Sequence, residues 1–265
     1  MWDDAWAYDL ATSSFCEDLP YWSGLIKKFR PKRVLELGCG TGRISFAIAT
    51  TGLSIHPNFK LVALDSSQIF LDRARARLIS GYPGSSSALR FIEGDMAKFT
   101  LQEQFDLIVV GYNNLAYLAG CEQRESCFRA MRKHLAEGGR LAIDLHVPNL
   151  SLLAEAQREI FPAVRHELEW INPAPGVARF VSLYKTTSYD SATQTEETTH
   201  YWEIYHTDGR HQHMVKELTW HHYFPSELRA LFQTHGLAPV AEYGSYELTP
   251  FSAASPQYLW VMATA

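Results

Sequence analysis

The sequence predicts an α/β protein: a parallel sheet covered by helices on both faces, with an antiparallel β meander inserted after it. Three observations carry this. Short, nearly continuous apolar runs alternate with stretches of helical spacing as far as Leu145. The first run empties into a glycine-rich loop, as strands of open α/β sheets do where they turn into a helix. Beyond about residue 160 the texture changes to long Thr-, Tyr- and Trp-rich runs that alternate with period two.

Taken in order, Lys32–Leu37 is a strand ending at glycines, and Ile44–Thr51 reads as the helix after it. Leu61–Asp65 is a second buried strand. Gln68–Ser80 places Leu71, Ala74 and Leu78 at helical spacing. Leu89–Ile92 and Phe105–Val110 are the third and fourth strands. Glu122–Ala136 is an amphipathic helix with Cys127, Ala130, Met131 and His134 on one face, stopped by Gly138-Gly139. Arg140–Leu145 is the fifth strand. Ala178–Tyr189, Glu197–His206 and Gln212–Tyr223 form the meander, the last two joined by the turn Thr207-Asp208-Gly209-Arg210. Pro173-Ala174-Pro175-Gly176 reads as a loop into that insertion. Ser226–His235 returns to helix, closed by Gly236, and strands follow near Pro239–Tyr246 and Tyr258–Thr264. The expected divisions are 1–30, an aromatic lead segment; 31–160, the α/β core; 161–224, the inserted β subdomain; and 225–265, completing the core.

Composition narrows the function. The 265 residues are 46% hydrophobic and 20% charged, which excludes a disordered polar chain, and a 13% aromatic content suits a pocket for organic ligands. Lys plus Arg is 24 against 29 acids, so the chain lacks the overall positive charge with which nucleic-acid binders engage phosphates. No apolar run approaches the roughly 18–20 residues of a membrane helix. Met1-Trp2-Asp3-Asp4 carries acids where a secretory signal carries bases. Four cysteines without paired spacing indicate neither zinc nor disulfides. The expectation is a cytoplasmic protein that acts on a small molecule, with no nucleic-acid or membrane partner.

The most informative stretch is Glu36-Leu37-Gly38-Cys39-Gly40-Thr41-Gly42-Arg43. Glycines let a ligand approach the backbone, and the next helix start offers free N–H groups. A dinucleotide fingerprint G-x-G-x-x-G fits poorly: counted from Gly38 its last place is Arg43, and from Gly40 it is Ser45. No Gly-Lys-Ser/Thr follows, so a P-loop is excluded. The pattern E-x-G-x-G-x-G instead resembles motif I of the class I S-adenosylmethionine-dependent methyltransferases.

That resemblance continues along the chain. Asp65-Ser66-Ser67-Gln68-Ile69-Phe70-Leu71 is similar to the family's second motif; it implies an acid for the ribose hydroxyls at Asp65 and an apolar cover for the adenine at Phe70. Glu93-Gly94-Asp95-Met96 resembles the motif whose acid and next N–H meet the adenine. Phe105–Val110 with Gly111, Tyr112 and Asn113 matches the fourth strand, whose end faces the reacting methyl. The family fold is a Rossmann-like seven-stranded methyltransferase sandwich with its last strand antiparallel. The implied cofactor set is Tyr8, Glu36, Gly38, Cys39, Gly40, Gly42, Arg43, Asp65, Ser66, Phe70, Gly94, Asp95, Met96, Val110 and Gly111. The substrate set is Tyr112, Asn113, Tyr117, His146, His221 and Tyr223.

The implied reaction is methyl transfer from S-adenosylmethionine, leaving S-adenosylhomocysteine, to a small-molecule acceptor. Nitrogen is favoured over oxygen or carbon. Such an in-line displacement needs alignment and exclusion of water more than a nucleophilic side chain. His146, directly after the fifth strand, is the first candidate base, ahead of His221 and His222; Tyr8 and Asn113 are the other candidate catalytic groups. The aromatic lead segment (Trp2, Trp6, Tyr8, Phe15, Tyr21, Trp22) looks like the lid of small-molecule methyltransferases, including bacterial aminosugar N-methyltransferases. Those enzymes also carry an antiparallel insertion, followed by a segment similar to Tyr223-Phe224-Pro225-Ser226-Glu227-Leu228 and later Tyr243-Gly244-Ser245-Tyr246. The meander is expected to shape a substrate pocket or a homodimer contact. Its histidines lack the acid or thiol to complete a metal site, so no metal is expected. The competing readings are an NAD(P)-dependent oxidoreductase, against which the absence of a Tyr-x-x-x-Lys pair counts, and a catalytically silent S-adenosylmethionine-binding protein.

Overall fold

A computed structural model of the protein describes residues 5–12, 15–157, 164–168 and 178–264. Trp2 and the segment Pro173-Ala174-Pro175-Gly176 lie outside the described residues. The chain divides into two units: 2–147 together with 223–265, and 148–222.

The larger unit begins with helices α1 (Ala5–Thr12) and α2 (Leu19–Phe29). Strand β1 (Arg33–Leu37), helix α3 (Arg43–Ile55), β2 (Lys60–Asp65), α4 (Gln68–Gly81) and β3 (Leu89–Glu93) follow. Then come β4 (Phe105–Val110), α5 (Cys121–His134) and β5 (Leu135–His146). After the inserted unit the chain returns as α7 (Pro225–Thr234), β10 (Leu237–Tyr243) and β11 (Gln257–Thr264). The sheet order is β10-β11-β5-β4-β1-β2-β3. Strands β1 to β5 pair in parallel, and β11 runs antiparallel to both β5 and β10. The expected seven-stranded sandwich is thus present, with Leu37, Asp65, Glu93 and Val110 bringing four strand ends to one edge. Parallel strands need apolar residues on both faces, and Val34, Leu35, Ala63, Leu107, Ile108 and Val109 are all buried.

The smaller unit holds α6 (Leu150–Ala156) and a four-stranded antiparallel sheet in the order β6-β7-β8-β9. Its strands are β6 (Val164–Leu168), β7 (Ala178–Asp190), β8 (Thr195–His206) and β9 (His211–His221). The three predicted meander strands are there. β6 was not expected, because Val164–Leu168 reads Val-Arg-His-Glu-Leu, too polar to stand out as a strand before its partner β7 is known. No described helix is long and apolar enough to cross a membrane.

Three element ends depart from the sequence pattern. α3 runs on past Thr51 to Ile55, through Gly52, because the buried ring of Phe59 packs where a side chain at 52 would stand: a Cβ there would lie 2.5 Å from it. Phe59 anchors the connection His56–Lys60, whose Pro57, Asn58 and Lys60 are exposed. α5 stops at His134 rather than Ala136, since Leu135 already pairs with Phe105 of β4. β5 is correspondingly longer than Arg140–Leu145 and carries Gly138 at φ 70° as an irregularity within it. The predicted inner face of α5 is correct, with Cys127, Met131 and His134 buried.

These contacts set opposite signs for two substitutions. Gly52→Val forces a side chain into the Phe59 ring and should lower stability by roughly 1–3 kcal/mol. Gly24→Ala, at an exposed position of helix α2 with nothing within 4 Å, should raise it by about 0.5–1 kcal/mol. Urea midpoints at constant m would read both; equal shifts would contradict the packing of Phe59 on Gly52.

Candidate active site

The loop after β1 has Gly38, Gly40 and Gly42 at φ of 73°, 54° and 89°, a region side chains rarely enter. At Gly38 the need is also steric, since a Cβ would stand 2.6 Å from the side chain of Asn114. The loop is tied to the end of β2. The Gly38 and Cys39 N–H groups donate to the Leu64 carbonyl at 2.8 and 3.0 Å, and the Gly40 N–H donates to Asp65 Oδ2 at 2.7 Å. Asp65 Oδ1 accepts from the Ser67 N–H at 2.9 Å. Burial raises the Asp65 pKa, and these backbone donors hold it back. Each carboxylate oxygen keeps acceptor capacity for a further hydroxyl. Ser67, not Asp65, caps α4.

Helix α1 lies on this loop. Thr41 Oγ1 donates to Asp9 Oδ1 at 2.6 Å, Arg73 donates to Asp9 Oδ2 at 2.8 Å, and Arg77 donates to the Thr41 carbonyl at 3.1 Å. Tyr8, next to Asp9, packs its ring tilted at 36° against Phe70, centroids 4.9 Å apart, and brings its hydroxyl 3.3 Å from where a Gly40 Cβ would be. Burial raises its phenol pKa.

Two other members of the predicted set are committed inside the protein. Arg43 makes a two-pronged ion pair with the fully buried Asp18, at 2.5 and 2.8 Å. Its guanidinium also sits 5.2 Å from the ring of Phe15 and 5.0 Å from that of Tyr112. Glu36 is buried and accepts from Ser45 Oγ at 2.5 Å; burial pushes its carboxyl up to about 8. Cys39 and Val110 are buried. At the end of β3, Gly94 donates to the Asp65 carbonyl, while Asp95 Oδ1 accepts from the Ala97 N–H at 2.8 Å in a local turn. Met96 beside it is half-buried, and Ser66 is exposed.

The end of β4 is the most strained part. Tyr112 and Asn113 take successive left-handed conformations, φ 55° and 59°, costing of order 1–3 kcal/mol each. Four hydrogen bonds hold them. Tyr112 N–H donates to Asp144 Oδ2 at 3.0 Å, Asn113 N–H to the Asp144 carbonyl at 3.1 Å, and His146 N–H to Asn113 Oδ1 at 3.1 Å. Asn114 Nδ2 donates to the Gly38 carbonyl at 2.7 Å, joining this turn to the glycine loop.

The structure therefore brings Tyr8, Gly38, Gly40, Gly42, Asp65, Phe70, Tyr112 and Asn113 to one sheet edge. His146 stands exposed at the end of β5. Tyr117 is exposed beyond the turn, and Tyr223 is buried behind it, donating to the Leu115 carbonyl at 3.2 Å. His221 belongs to the smaller unit, where it is buried.

Asp18, Asp144 and Tyr246 were missed as site residues. Tyr246 Oη donates to Asp144 Oδ2 at 2.8 Å, and burial pushes the Asp144 carboxyl up to about 7. The available signal was a lone acid inside the apolar run Arg140–Leu145.

The donor set fits S-adenosylmethionine: a carboxylate at the end of β2 for a diol, close backbone approach at the glycines, an aromatic ring at Phe70, and the α3 start without a side-chain cap. Residues 35–141 match the model of a methyltransferase domain. The chain is similar to the cypemycin N-terminal methyltransferase of Streptomyces sp, 24% identical over 262 residues, covering 97% of this chain and 94% of that one. Its fold matches the CcbJ methyltransferase from Streptomyces caelestis with TM-score 0.74 at 20% identity, covering 100% and 99% of the two chains. It also matches CalS10, an amino pentose methyltransferase from Micromonospora echinaspora solved with S-adenosylmethionine bound, with TM-score 0.67 at 18% identity over 100% and 98%. The chain carries a methyltransferase domain, and S-adenosylmethionine is its cofactor.

The buried acids make stability pH-dependent. Glu36 rises from an ordinary 4.5 to about 8 and Asp144 from 3.8 to about 7 on folding. The folded state then binds more protons than the unfolded one, so their contribution is full below about pH 4 and is lost as pH climbs through 7 and 8. Urea midpoints should fall between pH 5 and 8. Glu36→Gln should flatten that decline, and an unaltered slope in this variant would contradict the assignment to Glu36.

Proposed function

We propose that this chain is a methyltransferase that moves the methyl of S-adenosylmethionine to an amine nitrogen of a small molecule. The observation that carries the reading is the convergence, at one sheet edge, of the glycine loop, Asp65 and the strained Tyr112–Asn113 turn. The cofactor supplies a methyl on a positive sulfur, already an excellent leaving group. What remains for the protein is to bind, align and keep water out.

In this reading Asp65 accepts the ribose hydroxyls with the lone pairs left by Gly40 and Ser67. Gly40 lets the nucleoside lie against the backbone, and Phe70 with the Asp95–Met96 N–H groups borders the adenine. Arg43 serves by holding Phe15 and Tyr112 about its guanidinium, more than as a free cation. Tyr112 and Asn113 stand beside the methyl, and Tyr8 covers the loop. Nitrogen is favoured as the acceptor because an amine attacks once neutral, whereas a hydroxyl needs a strong base in contact. Two similar proteins, an N-terminal methyltransferase and an amino pentose methyltransferase, point the same way. Two exposed free cysteines, Cys16 and Cys121, suit a reducing cytoplasm.

Titration calorimetry with S-adenosylhomocysteine, with NAD(P) as control, tests the cofactor site. Asp65→Ala should weaken S-adenosylhomocysteine by about 10–100-fold through a lost charge-assisted hydrogen bond. Gly40→Val should weaken it at least as much, since φ there is 54°. Binding of NAD(P) alone would overturn the reading. Incubating methyl-labelled S-adenosylmethionine with aminosugars and with short peptides bearing a free α-amine tests the acceptor. Label is expected on nitrogen, and label on hydroxyl compounds but no amine would overturn that choice.

A further inference from the structure

The Tyr112–Asn113 turn needs an acceptor from β5, but it does not need a charge. An asparagine oxygen at 144 would serve the Tyr112 N–H equally well. Asp144 is instead a carboxyl, 1% exposed, with no cation bonded to it among the described residues. The Arg43 guanidinium, whose charge reaches it, is spent on Asp18. Oδ1 of Asp144 is buried without a hydrogen-bond partner among the described residues. The charge of a buried acid in this condition is costly and is not what the turn requires.

Tyr246 stands in front of it, in the connection between β10 and β11. Its hydroxyl spends its one proton on Asp144 Oδ2, which leaves the phenol oxygen able to accept from outside. Around it are the rings of Phe15, centroids 5.9 Å apart, and Tyr21, 6.1 Å apart, with Tyr112 packed at 5.3 Å on Phe15. Aromatic faces beside a buried carboxyl form an environment for an ammonium group.

We propose that Tyr246 and Asp144 act as a relay that takes the proton from the acceptor's ammonium, with Tyr246 touching the amine and Asp144 acting through it. This rests on the reading that the Tyr112–Asn113 turn borders the methyl. One N–H bond of the ammonium breaks as its proton passes to the Tyr246 oxygen, while the phenol's own proton passes to Asp144. The ammonium and carboxylate become an amine and a carboxylic acid. The freed nitrogen lone pair forms the new N–C bond as the C–S bond breaks and the sulfonium becomes a thioether. An acid held near 7 can take and release this proton around neutrality, which an ordinary carboxylate cannot do.

Sinefungin tests this without knowledge of the acceptor, because it carries an amine-bearing carbon in place of the sulfonium and its methyl. Calorimetry would compare it with S-adenosylhomocysteine on the full chain at pH 6 and 8. In the wild type the amine should favour sinefungin by about 10–100-fold at pH 8, where Asp144 is ionised. The preference should shrink at pH 6 as Asp144 takes up a proton. The groups facing Asp144 are Tyr112 at β4, Tyr246 before β11, Tyr21 on α2, and the Asp18–Arg43 pair; burial raises all three phenols above their ordinary range, so none of them titrates between pH 6 and 8.

Tyr246→Phe should cut the preference about tenfold, and Asp144→Asn should abolish its pH dependence, each with S-adenosylhomocysteine affinity within about threefold of wild type. A sinefungin preference that is absent in the wild type, unchanged in Tyr246→Phe, or equal at both pH values would overturn the relay alone. A wild type that binds neither ligand would overturn the methyltransferase reading as well. If Asp144→Asn does not fold, Tyr246→Phe and the wild-type pH comparison still decide.

Discussion

The ion pair between Arg43 and Asp18 is the interaction on which this sheet edge depends. It joins the chain before α2 to the first residue of α3, and the guanidinium in turn lies against Phe15 and Tyr112. One contact thereby locates the lead segment, the helix after the glycine loop, and the turn after β4. Asp18 is wholly buried, so the pair is screened little by water and breaking it would strand a charge. It also governs the remaining acids. With the guanidinium spent on Asp18, Glu36 and Asp144 meet burial without a bonded cation, and both carboxyls move up towards neutrality.

The strain at Tyr112 and Asn113 is affordable because it is held from several sides. Asp144 holds the turn through its side chain and its carbonyl, His146 holds Asn113, and Asn114 reaches back to Gly38. A displacement of β5 would therefore reach the glycine loop through one residue, Asn114. For a reaction limited by alignment, such over-determination matters more than any single reactive group. His146 and Asn113 contribute a backbone donor and a side-chain acceptor to the turn, while the titratable carboxyl is one position deeper on the same face of β5, two residues before His146.

Most of the fold was legible because local signals decide it. Apolar runs, helical spacing and the three glycines placed β1 to β5, the later helix and the meander. Element ends were not legible where a distant partner set them: Phe59 extends α3 through Gly52, and Phe105 draws Leu135 out of α5. The residues proposed for the cofactor side carry local signals of the same kind. Gly38, Gly40, Asp65 and Phe70 all lie within consecutive strand–loop–helix units, so their chemistry follows from position along the chain. The proposed acceptor side is assembled across long separations, Tyr246 to Asp144 and Arg43 to Asp18, and single residues such as these carry no pattern. Asp144 was visible only as an anomaly, an acid in an apolar strand.

That anomaly has a physical consequence for how the protein divides its work. At Asp65, the acid proposed to hold the cofactor, the Gly40 and Ser67 N–H groups counter the rise that burial imposes on the carboxyl. An acid given one backbone donor and one phenol, with a bare second oxygen, is instead held where its protonation can change. The two carboxyls stand at the ends of β2 and β5, on opposite sides of the β1–β4 pair that carries the glycine loop and the strained turn. In the proposed reading, a carboxyl steadied by backbone donors on one side suits a cofactor that is always bound the same way. A titrating one on the other suits an acceptor that must give up a proton before it can react.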